Sequence, residues 1–132
     1  MNKILVIDDD LAMTDLLKLL LRQTGAEIRV ANDGRTGINL AKTFAPRIII
    51  LDLMMPEMDG WQICKEIRTF SNVPILILSA LDNPGLVAAA LDAGADDYLI
   101  KPVTSGVLIA HLNNLVRRAN MDKLKILQNV VT

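Results

Sequence analysis

The sequence predicts one doubly wound α/β domain of five strand-and-helix units, (βα)₅. Its 132 residues are the usual size of a single domain. Apolar blocks of strand length alternate along it with segments of helical period. Three of the blocks are almost continuous runs of Ile, Leu and Val, which is typical of parallel strands covered by helices on both faces. The alternation itself indicates parallel strands joined by right-handed helical crossovers.

Each strand is predicted from an apolar run that polar or turn residues bound at its ends. The five predicted strands are Lys3–Ile7 (KILVI), Glu27–Ala31 (EIRVA), Arg47–Leu51 (RIIIL), Val73–Leu78 (VPILIL) and Asp97–Ile100 (DYLI).

The helices between the strands are predicted from apolar positions three and four residues apart. Their predicted ranges are Leu11–Thr24, Gly34–Phe44, Trp61–Phe70, Asn83–Ala93 and Thr104–Arg118. Gly25 and Gly94 follow two of them as C-cap candidates, and Pro46 opposes continuation of another. Among the apolar side chains we expect Leu16, Phe70 and Val107 to lie on buried helix faces.

The last segment, residues 120 to 132, leaves two alternatives open. Met121, Leu124, Leu127 and Val131 fall at helical spacing, so the fifth helix could continue as a linker towards a second domain or a dimer partner. The other interpretation is a frayed terminus. The predicted division is therefore a domain over residues 1–119 and a C-terminal extension over 120–132.

Composition excludes several functional classes. No apolar run approaches the roughly 20 residues of a membrane-spanning helix. The net charge of −1 gives no indication that this domain binds nucleic acid directly. The N-terminus enters a strand at once and lacks the cleavage region of a signal peptide. A single cysteine, Cys64, fits a reducing compartment, so we expect a cytoplasmic protein.

Polar side chains interrupt the apolar pattern directly after four strands. Asp8, Asp9 and Asp10 follow the first strand, Asp52 the third, Ser79 the fourth and Lys101 the fifth. The carboxyl ends of parallel strands share one edge of the sheet, where ligands of such folds bind. The sequence therefore predicts that these groups meet in one crevice. Asp10 is better placed as the N-cap of the first helix than as a ligand.

A crevice with several carboxylates needs a compensating cation. Two carboxylates ~4 Å apart repel by about 4 kcal/mol at an effective dielectric constant near 20. Hard oxygen ligands on short loops suit Mg²⁺, which usually takes one or two carboxylates and keeps several waters. An aspartate in such a site can act as a nucleophile towards a phosphoryl group, whose oxygens Lys101 and Ser79 would neutralise and bind. Asp52 is thus a candidate for an aspartyl phosphate.

In order and spacing, the segments ILVIDDD, DLMMPEMDG, ILILSA and GADDYLIKP resemble the receiver domain of bacterial two-component response regulators. The resemblance extends over nearly all of residues 1–119. It implies a flavodoxin-like sheet with strand order 2-1-3-4-5 flanked by five helices. It also implies a signalling switch with Mg²⁺ as its cofactor. Such a domain assists its own phosphorylation and dephosphorylation without being an enzyme for other substrates.

The resemblance also implies a role for each matching position. Asp52 corresponds to the phosphoacceptor and Asp9 to the direct metal ligand, with Asp8 assisting through water. Met54 corresponds to the position that binds the metal through its backbone carbonyl. Lys101 corresponds to the lysine that pairs with the phosphate, and Pro102 to the proline whose preceding bond is usually cis. Ser79 corresponds to the hydroxyl that contacts the phosphoryl group and moves on activation, and Tyr98 to the aromatic residue that then turns inward. Apart from the resemblance, Pro56 and Gly60 are turn residues that shape the loop after Asp52.

The implied partners are a sensor histidine kinase or phosphotransfer protein as donor and an effector domain or protein as target. The segment GADDY and the pair Arg117-Arg118 resemble receivers that dimerise through the last two helices and the last strand. Two other functions stay open: a docking module that has the fold without the phosphorylation, and a haloacid-dehalogenase-like phosphatase. The D-x-D of the latter is present as Asp8 and Asp10, but Ala12 replaces its expected Thr or Val.

Overall fold

The computed structural model describes residues 2 to 131, and five strands alternate with five helices through them. The strands are β1 (Lys3–Ile7), β2 (Glu27–Ala31), β3 (Ile48–Leu51), β4 (Ile75–Ser79) and β5 (Asp97–Ile100). The helices are α1 (Leu11–Leu21), α2 (Gly34–Thr43), α3 (Gly60–Arg68), α4 (Pro84–Asp92) and α5 (Ser105–Val131). The predicted bounds at residues 1 and 132, and the side chain of Val131, lie outside the described part.

The five strands form one parallel sheet in the order β2-β1-β3-β4-β5, which confirms the predicted architecture. The central strand β1 pairs with β3 from Ile4 opposite Ile48 to Ile7 opposite Leu51. Because the register keeps the strand ends level, the residues that follow β1 and β3 emerge side by side. The carboxyl edge of the sheet is therefore where the predicted site must lie.

Two apolar layers cover the sheet, because alternate residues of a strand face opposite sides. Leu5, Ile7, Ile49 and Leu51 face the layer formed with α2, α3 and α4. Ile4, Val6, Ile48 and Ile50 face the layer that Leu17 of α1 and Leu108, Leu112 and Leu115 of α5 complete. All these side chains are at most 3% exposed, so both faces of the central strands are dry. This explains their unbroken apolar sequence.

Three side chains that we expected to be buried are exposed. Val107 is 46% exposed because the buried stripe of α5 runs through Leu108, Leu112 and Leu115, and Val107 lies to one side of it. Phe70 is 39% exposed because α3 ends at Arg68, before the phenyl ring could join the buried face. Leu16 is 46% exposed beside the buried stripe of α1.

The helix ends follow local capping chemistry. The Asp10 carboxylate accepts a hydrogen bond from the Met13 amide at 3.2 Å, and Asp59 accepts one from the Gln62 amide at 2.8 Å. These contacts confirm Asp10 as an N-cap. Helix α1 ends at Leu21 and passes through a 3₁₀ turn, so Gly25, at φ 72°, terminates that turn instead.

Helix α5 continues well beyond the predicted end at Arg118, which favours the helical interpretation of the last segment over a frayed end. It contains 27 residues and ends at Val131. Its last fully buried side chain is Leu115, and every side chain from Asn120 to Val130 is exposed. The second half of the helix therefore projects past the body of the domain. Within residues 2–131, no helix combines the length and apolar character needed to cross a membrane.

Candidate functional site

The predicted polar residues meet at the carboxyl edge of the sheet, held there by main-chain hydrogen bonds between neighbouring strand ends. The amide of Asp52 donates to the carbonyl of Ile7 at 2.9 Å, and the amide of Lys101 donates to the carbonyl of Ser79 at 2.9 Å. The sheet register thus extends one residue into the site. The position of each functional side chain is fixed by the strand that it follows or, for Ser79, by the strand β4 that it ends.

Three carboxylates form the centre of the site. Asp8, Asp9 and Asp52 each place one oxygen within 4.8 Å of the others. Asp8 and Asp52 are buried, and Asp9 is half-buried at the rim. Asp10 is turned away into its capping contact, so the acidic group contains the three residues predicted as ligands or acceptor.

Lys101 brings a positive charge to this group, and it lies closer to Asp8 than to Asp52. Its Nζ donates to Asp8 Oδ2 at 2.9 Å and lies 3.7 Å from Asp52 Oδ2. The other oxygen of Asp8 accepts a hydrogen bond from the Asp10 amide at 3.0 Å. Asp8 is thus paired through both of its oxygens, whereas Asp52 is paired at longer range.

The pKa of Asp52 lies above its usual 3.8. Burial is the main cause, because it removes water from the charged form; the neighbouring charge of Lys101 opposes the shift, and that of Asp8 adds to it. The ionised Asp52 carboxylate is therefore destabilised in the unliganded domain. A second cation near its oxygens would restore the charged, nucleophilic form.

The three carboxylates fit a divalent cation with oxygen ligands. Within the described residues, Asp9 has neither an ion-pair partner nor a hydrogen bond to its side chain, although it faces two other carboxylates. Lys101 supplies one positive charge against three negative ones. Hard carboxylate oxygens at this spacing are typical ligands of Mg²⁺.

The loop from β3 to α3 forms the wall of the site beside Asp52. The Met54 amide approaches Asp52 Oδ1 at 3.5 Å, and the Met54 side chain is 60% exposed. Pro56 is exposed in the same loop. A Cβ atom on Gly60 would lie 2.7 Å from the carbonyl oxygen of Asp52, so only glycine allows the loop to close this tightly. These contacts give the predicted loop-shaping role of Gly60 a physical basis.

Ser79 and Tyr98 are joined through the backbone of Leu81. The Ser79 side chain is 1% exposed, and its Oγ accepts a hydrogen bond from the Leu81 amide at 3.3 Å. The Tyr98 hydroxyl donates to the Leu81 carbonyl at 2.7 Å. The pKa of Tyr98 is raised, mainly by burial, with the neighbouring Ser79 hydroxyl opposing the shift. Two hydrogen bonds, one to the amide and one to the carbonyl of Leu81, thus connect the two predicted switch residues.

The peptide bond between Lys101 and Pro102 is cis, as the resemblance implied.

One contributor to the site was missed at the level of sequence. Asn32 follows β2 directly, and its Nδ2 donates to the main-chain carbonyl of Asp8 at 2.9 Å and lies 3.5 Å from Thr14 Oγ1. The signal was available, because Asn32 occupies the same position after its strand as Asp8 does after β1. A neutral amide after a strand is a weaker indication of a functional site than a charged side chain is.

Comparison with known proteins agrees with this geometry. The family model described as the response regulator receiver domain matches residues 4–113. The chain belongs to this family. It is 41% identical over 121 residues to the response regulator MprA of Mycolicibacterium vanbaalenii, which covers 91% of this chain and 52% of that protein.

Solved receiver structures superpose closely on this receiver domain. A two-component response regulator from Clostridium difficile matches with a TM-score of 0.87 and 32% identity, covering 91% of this chain and 99% of that one. The BeF3-activated N-terminal receiver domain of Klebsiella pneumoniae RstA matches with a TM-score of 0.84 and 29% identity, covering 88% and 99% of the two chains. The chain spans about half the length of the curated relatives that it matches.

Proposed function

We propose that this receiver domain accepts a phosphoryl group on Asp52 in an Mg²⁺-dependent reaction and thereby switches its affinity for an effector. The observation that carries the proposal is the group of three carboxylates, two of which, Asp8 and Asp52, lie within 4 Å of Lys101 Nζ. Asp52 is buried, its oxygen lies within 4.8 Å of those of Asp8 and Asp9, and Lys101 Nζ lies 3.7 Å from it. A purely structural carboxylate would not need an acidic neighbour such as Asp9, which no ion pair neutralises within the described residues.

The metal would be held by Asp9 and Asp52, by the backbone carbonyl of Met54, and by Asp8 through water. When bound, Mg²⁺ supplies positive charge that keeps carboxylates ionised and offsets the negative charge of a phosphoryl group. Lys101 would add a second positive charge, because its Nζ lies 3.7 Å from Asp52 Oδ2. Its shorter contact with Asp8 would then loosen, so that Nζ pairs with a phosphoryl oxygen.

The phosphoryl donor would be a phosphohistidine of a sensor kinase or phosphotransfer protein, or a small acyl phosphate. An Asp52 oxygen forms the new O–P bond while the N–P bond of the phosphohistidine breaks, and the leaving imidazole keeps the electron pair and takes up a proton. Lys101 and the Ser79 hydroxyl would bind oxygens of the transferred group. Because the product remains attached to Asp52, we propose a phosphoacceptor and not an enzyme that acts on other substrates.

The switch would operate through Ser79, Leu81 and Tyr98. Phosphorylation adds about 1.5 to 2 negative charges and three strong acceptor oxygens at Asp52. A Ser79 hydroxyl drawn towards them would weaken its contact with the Leu81 amide, whose own carbonyl holds the Tyr98 hydroxyl. The two packings of this segment would then differ in population, and the surface of α4, β5 and α5 would report the change to an effector.

The relatives support the nature of the proposed partners. MprA is named a response regulator, and a related protein of Guillardia theta is named a probable transcriptional regulator. We propose that this domain likewise receives its signal from a histidine kinase and controls an effector domain or protein. The RstA receiver domain, with which this chain shares its fold, is described as BeF3-activated, which supports the proposal that this receiver domain also has an activated state.

Intact-mass measurement tests the proposal directly. Wild type and Asp52→Asn are incubated with Mg²⁺ and acetyl phosphate, and the intact mass of each protein is measured before and after treatment with mild base. We expect wild type to gain one base-labile phosphoryl group and the variant to gain none. If neither protein gains mass although Mg²⁺ still binds, the proposal is wrong and the domain is a docking module without phosphorylation. If both proteins gain a phosphoryl group, the acceptor is a residue other than Asp52.

A further inference from the structure

A groove runs between helix α5 and the loops that enter the sheet at its amino edge. Helix α5 forms one side of it from Leu115 to Ile126, and the loops before β3 and β4 form the other side through Arg47 and Pro74. Two adjoining depressions of about 240 and 410 Å³ make up the groove, and Pro74 and Lys123 line both of them. We call it the amino-edge groove, and it lies opposite to the carboxyl edge that carries the acidic group.

One side of helix α5 lines this groove along several turns. Its lining residues Leu115, Ala119, Asp122 and Ile126 are separated by four, three and four positions, which places them on one face of a helix. At 1.5 Å per residue they extend over ~16 Å, which is about the length of five residues of extended chain. Asp122 and Ile126 are exposed, so the groove is open to solvent and long enough for a peptide segment.

Apolar side chains line both depressions. Pro46 and Val116 line the smaller one, and Leu115 and Ile126 line the larger one. Ile126 is 63% exposed although it borders the body of the domain across this groove. A ligand with apolar side chains of its own would remove this area from water, which is favourable in proportion to the area covered.

Three cationic side chains lie among these apolar residues. Arg47 lines the smaller depression, Arg118 the larger one, and Lys123 both. Arg47 Nη2 donates to Asn120 Oδ1 at 3.3 Å, so a neutral amide joins α5 to the loop before β3. Among residues 2–131, none of the three cations forms an ion pair. Their positive charge is therefore not neutralised by this part of the chain.

Negative charge in the groove is smaller. Asp96 lines it but pairs with Arg68 at 2.8 Å, which leaves Asp122 as the one lining carboxylate without an ion pair in the described part of the chain. The groove thus has an excess of positive charge, although the net charge of the chain is −1. The phosphates of a nucleic acid would match this charge but bring no apolar group to Ile126. A peptide with both acidic and apolar side chains complements both features.

We propose that the amino-edge groove binds an acidic segment of a partner protein. Asp or Glu side chains of the segment would pair with Arg47, Arg118 and Lys123, and its apolar side chains would occupy the two depressions. Because the groove lies at the edge of the sheet opposite to Asp52, binding does not require phosphorylation. The domain would therefore hold this partner in both phosphorylation states.

Fluorescence anisotropy with the whole, unphosphorylated chain tests the proposal. The probe is a fluorescein-labelled peptide of six Glu and two Leu, with the leucines three residues apart, and the control peptide has Lys in place of every Glu. We expect saturable binding of the acidic peptide and none of the basic one. Ile126→Ala should weaken binding roughly threefold, because it removes apolar area from the groove. Leu127→Ala, next in sequence but outside the groove, should leave the affinity unchanged.

Two double variants separate the groove from general charge attraction. Arg118→Glu with Lys123→Glu should weaken binding of the acidic peptide at least tenfold. Arg117→Glu with Lys125→Glu makes the same change of charge on the same helix outside the groove. It should weaken binding less than threefold at physiological salt, where charges are screened over about 8 Å.

Three outcomes would overturn the proposal. The first is a wild type that does not bind the acidic peptide, and the second is an equal loss of affinity in the two double variants. The third is displacement of the peptide by duplex DNA, which would make the groove a nucleic-acid interface. Since no donor and no Mg²⁺ are present, none of these outcomes bears on phosphorylation of Asp52.

Discussion

The side-chain amide of Asn32 donates a 2.9 Å hydrogen bond to the main-chain carbonyl of Asp8. This bond connects the loop after β2 to the peptide that joins Asp8 to Asp9. Thr14 supports it from α1, where its buried hydroxyl lies 3.5 Å from Asn32 Nδ2 and donates to the Leu11 carbonyl at 3.0 Å. Asn32 thus orients the two predicted metal-binding residues without belonging to the acidic group.

We predict that Asn32→Ala weakens Mg²⁺ binding by roughly tenfold, because groups that orient metal ligands typically change affinity by that factor or more. Its free energy of unfolding without Mg²⁺ should fall by only about 1 kcal/mol, the usual net value of one hydrogen bond. Titration calorimetry with Mg²⁺ measures the first effect and thermal unfolding the second. Asn39→Ala, an exposed position on α2, is the control. Equal Mg²⁺ affinity in the two variants would show that Asn32 does not contribute to Mg²⁺ binding.

Mg²⁺ should stabilise the folded domain through the three carboxylates. At 100 times its dissociation constant, a ligand that binds only the folded state adds about 2.7 kcal/mol, which for a chain of this length raises Tm by roughly 10 °C. We expect this rise in wild type and its loss in Asp9→Asn. Scanning calorimetry with Mg²⁺ or with EDTA provides the measurement, and Asp10→Asn controls for general loss of acidic charge. A full Mg²⁺ effect in Asp9→Asn would place the metal elsewhere.

The raised pKa of Asp52 predicts a pH-dependent cost to stability. The folded state binds the Asp52 proton more tightly than the unfolded chain does, so this residue's contribution to stability falls as the pH rises above 3.8 through the folded-state pKa. Without Mg²⁺, Asp52→Asn should therefore be more stable than wild type at pH 7. The two proteins should converge as the pH falls towards 4. Urea unfolding of both proteins between pH 4 and pH 7 measures this difference in stability. An Asp52→Asn variant that is less stable than wild type at pH 7 would contradict the prediction.

The sheet and most of the site could be predicted from the sequence because they depend on short-range patterns. A buried parallel strand must be apolar on both faces, so the first polar residue after β3 marks its end, and parallel register then brings Asp52 beside Asp8. Helix ends could be predicted where a single side chain caps them, as Asp10 does for α1. Each of these inferences needs only residues that are neighbours in sequence, together with the strand order that the resemblance to receiver domains implied.

Contacts between distant side chains could not be predicted in this way. His111 of α5 and Asp97 of β5 lie 2.6 Å apart through Nδ1 and Oδ2, yet no periodicity connects them. Arg68 donates to three carbonyls, those of Ser71, Val73 and Gly94. These carbonyls lie in the loops that precede β4 and β5, close to the end of α3. The preference of Lys101 for Asp8 over Asp52 likewise depends on differences of less than 1 Å. These contacts depend on how the complete helices and strands pack against one another.

Tyr98 should couple the site to the segment before α4. We predict that Tyr98→Ala is phosphorylated on Asp52 by acetyl phosphate as wild type is, but binds its effector no better after phosphorylation. Since the hydroxyl holds the Leu81 carbonyl, amide exchange in residues 81 to 86 should respond to phosphorylation in wild type and not in the variant. Tyr98→Phe keeps the ring and separates the hydroxyl's contribution, about 1 kcal/mol of stability. The same exchange response in Tyr98→Ala would show that the signal takes another route.

The apolar pair Met54 and Leu81 should slow the loss of the phosphoryl group. Met54 lies two residues after Asp52 with its side chain 60% exposed, and half-buried Leu81 lies two residues after Ser79. Neither side chain can position a water molecule by hydrogen bonding, and the resemblance to receiver domains implies that both positions influence how water reaches Asp52. We predict that Met54→Asn accelerates dephosphorylation, whereas Met54→Leu, which conserves the apolar volume, leaves the rate nearly unchanged. The decay of base-labile phosphate after removal of the donor measures both rates. A slower decay in Met54→Asn would mean that the methionine does not obstruct water.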